Sequence, residues 1–88
     1  MDEEEFRKKA QDEGYSEPEM HEVDPSPTKE MHTHDQSVLS LVLGGEFTMI
    51  DENGSTIYAP GDWCENPAGT LHTEQIGPNG VIALVSKK

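Results

Sequence analysis

The sequence is short of nearly everything that would cross-link a chain or carry it into a membrane. Its 88 residues include one cysteine, Cys64, so an internal disulfide framework is excluded and a reducing, cytoplasmic setting is expected. No apolar run approaches the roughly 18 residues of a membrane span, and the opening residues, Asp2 to Lys9, do not read as a signal peptide. No membrane partner is expected. Cationic side chains are scarcer still. Six Lys and Arg face 18 Asp and Glu, a formal charge of −12. A field of that sign repels phosphate backbones, so nucleic acid is excluded as a partner. From position 30 to position 86 there is no Lys or Arg at all. A phosphate or carboxylate ligand is usually clamped by those residues. The expected ligand is therefore a cation, or a small neutral or metal-coordinating molecule.

The residues present fall into two parts. Residues 1–28 form an acidic helix and connector, and residues 29–88 a strand-rich body. Asp2 is a fitting helix N-cap with Glu5 three residues on, and acids precede Arg7, Lys8 and Lys9 in the order the helix dipole favours. Gly14 ends the helix. Phe6 and Ala10, at i and i+4, give it one thin apolar stripe. A connector containing Pro18, Pro25 and Pro27 follows, in which His21 to Val23 can add an edge strand.

The body reads as short strands divided by turn chemistry. They cover Glu30–His34, Val38–Leu43, Glu46–Ile50, Thr56–Ala59, Trp63–Glu65, Leu71–Ile76 and Val81–Val85. Gly44-Gly45, Asn53-Gly54, Pro60-Gly61, Pro67-Ala68-Gly69 and Gly77 to Gly80 separate them. This spacing implies a small sandwich or barrel. Alternation along Val38–Leu43 sends Val38, Ser40 and Val42 inward and Leu39, Leu41 and Leu43 outward. Three outward leucines need a cover. The helix can supply it, or a second subunit can, and a homodimer is expected.

His32-Thr33-His34 places two imidazoles on one face of an extended segment, and His72 follows about forty residues later. Three neutral imidazoles converging across facing strands suit one divalent transition metal, Zn, Fe, Ni, Cu or Mn.

These residues resemble the motifs of the cupin superfamily. Gly61, Pro67, Gly69 and His72 match its second motif without a gap, and His32, His34 and Gly44 match the first. The resemblance implies a double-stranded β-helix, or jelly-roll, barrel with His32, His34 and His72 binding one metal ion inside. The glutamate ligand usual four residues after the second histidine is absent, because Val38 stands there. Glu74, in phase with His72, is the candidate for a late ligand or catalytic proton carrier. Glu30, Gln36, Val38, Tyr58 and Cys64 are candidate pocket residues. The resemblance points to dioxygenase or isomerase chemistry on a small molecule, with a non-catalytic ligand- or metal-sensing module as the alternative.

Overall fold

The computed structural model describes residues 1–27 and 30–88 of the chain. Thr28 and Lys29, on which the expected boundary between the two parts falls, lie outside the described residues. Helix α1 spans Glu3–Asp12, and the strands are β1 (Glu19–Val23), β2 (Val38–Asp51), β3 (Gly54–Tyr58), β4 (Trp63–Asn66) and β5 (His72–Lys87). They build the expected small jelly-roll barrel with one short N-terminal helix.

Two strands are much longer than the sequence pattern predicts. β2 and β5 pair antiparallel from Val38 opposite Lys87 to Asp51 opposite His72, with residues 77–80 leaving the ladder opposite Glu46. The expected breaks at Gly44-Gly45 and at Gly77 to Gly80 are not turns. The register slips between Val42 and Gly44 and again between Gly45 and Phe47, so the ribbon bulges and bends, with pairing on both sides of the slips. Gly45 has φ +69°, and a Cβ there would sit 2.0 Å from the carbonyl oxygen of Gly80. Only glycine admits that approach.

The bend gives the ribbon two halves with different neighbours. The half made of residues 38–42 and 83–87 takes β4 on one edge and β1 on the other. The half made of residues 47–51 and 72–76 takes β3 on one edge. On its other edge, Ser26 and His32 make single antiparallel bridges to Ile76 and His72. Expected strand Glu30–His34 is thus reduced to one bridged residue.

Helix α1 forms as its sequence requires. The Asp2 carboxylate accepts from Glu5 N at 2.8 Å and Glu5 Oε1 accepts from Asp2 N at 3.3 Å, the reciprocal capping box. Beyond Asp12 the chain closes with Tyr15 N donating to Ala10 O and Gly14 N to Gln11 O, with Gly14 at φ +79°. This Schellman geometry brings Tyr15 onto Ala10.

The apolar side of α1 then packs on the outer leucines. Phe6, Ala10 and Tyr15 form one buried cluster with Leu39, Leu41 and Leu84, and Leu43 packs against it. The helix thus covers the outer leucines, one of the two covers the sequence allowed. A separate inner cluster joins Val42, Phe47, Cys64 and Val81, so the predicted inward and outward phases of β2 both hold.

Candidate metal centre

The start of β5 positions the centre. His72 N donates to His32 O at 2.9 Å, His32 N donates to His72 O at 2.8 Å, and Gly69 N donates to His34 O at 2.9 Å. These backbone bonds fix the His32–His34 segment against the loop entering β5. The three imidazole rings consequently meet, with centroids 4.9 Å (His32–His34), 4.7 Å (His32–His72) and 5.0 Å (His34–His72) apart.

Backbone carbonyls stand behind two of the rings. His72 Nδ1 lies 2.9 Å from Thr70 O, and His32 Nδ1 lies 3.1 Å from Glu30 O. A carbonyl only accepts, so in the tautomer with Nδ1–H donating to it each ring keeps its Nε2 lone pair. Both Nε2 atoms face one carboxylate. Glu74 Oε1 is 3.2 Å from His72 Nε2, and Glu74 Oε2 is 3.9 Å from His32 Nε2. Lone pairs converging on a carboxylate repel unless a proton or a cation stands among them.

The donor set fits a metal ion. One ligand atom from each of His32, His34, His72 and Glu74 lies within 4.8 Å of the others. Ligands across a zinc ion stand at most about 4.2 Å apart, twice a bond of about 2.1 Å. The four atoms thus stand at most about 0.6 Å wider than a bound ion would hold them. His72 is fully buried, while His34 is exposed and leaves the centre open on its side. Three imidazoles and a carboxylate suit Zn, Fe, Ni, Cu or Mn. Backbone carbonyls behind His32 and His72 fix ring orientation, as outer partners do at metal sites generally.

A cavity of ≈ 440 Å³ adjoins the centre, with His34, Glu74, Val38 and Gln36 in its wall. Cys64 also lines it, buried beside Ser40. Burial pushes its thiol up to about 11, and the Glu74 charge pushes the same way against a hydrogen bond from Ser40. Cys64 is therefore a protonated, unreactive wall residue. Two other candidates lie elsewhere. Tyr58 stacks on Phe47 at 5.2 Å and faces a surface hollow with Ile57 and Trp63. The Glu30 side chain is exposed, and only its carbonyl serves the site. Its expected strand phase with His32 fails because the segment is not a strand.

Two residues of the site were missed in the sequence. Asn66 Nδ2 lies against the His72 ring, 3.1 Å from Nε2 and 3.2 Å from Nδ1. It shares strand phase with Cys64, two residues earlier, and pairs with Val38, the position at which a glutamate was expected. Lys87 also lines the cavity. It continues the inward phase of Val81, Ala83 and Val85 on β5, so alternation would have found it. It stands just beyond the cation-free stretch from 30 to 86 on which the expectation of a neutral or metal-coordinating ligand rested.

No protein-family model matches the chain, and no curated protein matches its sequence. Solved structures do. Protein NMB1881 from Neisseria meningitidis superposes with a TM-score of 0.63 at 17% identity, over 83% of this chain and 84% of that one. A cupin-2 domain containing protein from Shewanella frigidimarina gives 0.60 at 14% identity, over 78% and 65%. A candidate sugar phosphate isomerase from Acidithiobacillus ferrooxidans gives 0.62 at 26% identity, over 77% and 46%.

Proposed function

This chain has the cupin fold, and on that premise we propose that it holds one divalent transition-metal ion through His32, His34, His72 and Glu74. A small molecule that coordinates the ion occupies the adjoining cavity. The observation that carries the reading is the pair of Nδ1 atoms held at backbone carbonyls, which turns two Nε2 atoms towards the Glu74 carboxylate.

When bound, the ion supplies Lewis acidity at the open side near His34, which suits dioxygenase or isomerase chemistry. His72, fully buried, anchors the centre, and His32 and His34 complete it. Asn66 packs its side-chain amide against the His72 ring. Among the described residues Glu74 is the one carboxylate facing two of the rings, and it is the proton carrier of the catalytic reading. Val38, Phe47 and Met49 give the cavity an apolar wall that limits water around the reacting group.

A second reading, binding without turnover, is favoured by Glu74 itself. Both of its oxygens face imidazoles, which leaves neither free to move a proton while all four ligands hold the ion. Oxygen uptake or product formation across a panel of small metabolites separates the two.

The metal is tested by calorimetric titration of Zn²⁺ into the chelator-treated protein and into His72→Ala. One ion should bind the unaltered chain, and the variant should bind at least about tenfold more weakly. Equal binding by both proteins would overturn the ligand assignment.

A further inference from the structure

We infer that the cavity takes a small monocarboxylate whose far end carries a metal-coordinating oxygen, with the Lys87 ammonium holding the carboxylate. The inference rests on the metal reading above and names the ligand class of that same site. It starts from strand register. Lys87 stands opposite Val38, and Val85 opposite Ser40, and all four residues line the cavity. Side chains two apart on a strand share a face. The lysine therefore belongs to the inner surface, at the end of β5 opposite the one that carries His72 and Glu74.

The cavity wall thus combines polar and apolar groups. His34 and Glu74 of the proposed centre line it together with Phe47, Met49 and Val85, and with Lys87, Gln36 and His21. Lys87 is the only Lys or Arg in this wall among the described residues, and no carboxylate lies within 4.0 Å of its ammonium. The other C-terminal cation, Lys88, is engaged elsewhere, with Nζ 2.8 Å from Glu13 O and over the Tyr15 ring. Lys87 is left exposed at the cavity mouth with its charge unspent.

The charge of the cavity wall points to the sign. Asp35 and Glu74 are its acids, and Glu19 lies with Lys87 in the adjoining hollow. A divalent ion together with Lys87 exceeds Asp35 and Glu74 by one positive charge. One carboxylate neutralises that excess. A phosphate dianion overshoots it inside a chain of formal charge −12, and it would have a single lysine to hold it. The apolar part of the wall asks for a short hydrocarbon body.

The test uses Zn²⁺-loaded full-length protein and ω-hydroxy acids from butyrate to octanoate length, each beside the diol of the same length, with calorimetry as readout. At least one acid should bind roughly tenfold or more tightly than its diol. Lys87→Gln should erase that preference while leaving diol affinity and Zn²⁺ affinity unchanged. The substitution keeps the backbone N–H that donates to Ser16 Oγ at 3.0 Å, and Lys87→Met serves as a second variant of similar length. Acids and diols binding alike, no binding by either, or a preference that survives both variants would overturn the inference. Failure of Zn²⁺ alone to bind would instead overturn the metal reading, and is measured first.

Discussion

His32 and His72 exchange both of their backbone hydrogen bonds, at 2.8 and 2.9 Å, although the segment around His32 forms no strand. That single bridge sets the two rings 4.7 Å apart and lets the carbonyls of Glu30 and Thr70 reach the Nδ1 atoms. Ligand position and ring orientation thus come from the same local geometry. Side-chain variants at these histidines should therefore abolish metal binding without loosening the segment, because the main chain carries the registration.

Glu74 places a carboxylate beside His32 and His72, whereas Val38 on β2 has none to offer. Removing it in Glu74→Ala should weaken Zn²⁺ binding by about tenfold or more. Val38 faces the cavity, so Val38→Glu placed in that background should recover part of the loss. Calorimetric titration of the three proteins checks this. No recovery would show that the Val38 position lies beyond reach of the ion.

The docking of α1 is tested at Phe6, which is fully buried against Leu39, Leu41 and Leu84. Phe6→Ala should lower unfolding free energy by about 3–5 kcal/mol, read by urea denaturation. Deleting residues 1–15 uncovers the leucines and should drive self-association visible by sedimentation. Metal stoichiometry should stay at one, since no residue of the deleted segment touches the centre.

Two left-handed glycines should respond very differently to alanine. Gly14 has φ +79° with nothing within 4 Å of an added Cβ, so Gly14→Ala should cost only about 1–2 kcal/mol. At Gly45 the same methyl meets the Gly80 carbonyl at 2.0 Å. Gly45→Ala should therefore unbend the β2–β5 ribbon and leave no folded protein at ordinary temperature, as thermal melts would show.

Alkaline pH isolates Tyr15. Burial first, and then its hydrogen bond and charge contact with Glu65, raise its phenol well above the ordinary value of 10.0. The folded chain keeps this proton after the unfolded chain has released it, so stability is intact below about pH 10. Above that, up to about 1.4 kcal/mol is lost per pH unit until the folded phenol also ionises. Tyr15→Phe should be less stable near neutrality by about 1.5–3 kcal/mol. Its melting temperature should also fall less steeply than that of the unaltered chain as pH rises past about 10. Parallel decline of the two proteins would contradict the linkage.

Much of this was legible without coordinates. The capping box at Asp2 and Glu5 is a local hydrogen-bond pattern, and the outward phase of Leu39 and Leu41 follows from the two-residue period of a strand. The spacing of His32, His34 and His72 within the glycine-proline pattern named the ring cluster. Gly44-Gly45 and Gly77 to Gly80 misled, because a glycine pair signals freedom of backbone and not which use is made of it. A turn and a bulge with a close carbonyl look alike in one dimension.

The sequence by itself determined the helix caps, the strand phases, the acidic field and the three imidazoles, since each depends on residues near one another along the chain. Tertiary structure decided what depends on distant partners. It put Glu74 beside His32 and His72, chose α1 as the cover for the leucines, and carried Asn66 and Lys87 into one cavity. Pairing between β2 and β5 sets those meetings, and its register comes from bulges whose effect on the distant strand no local pattern encodes.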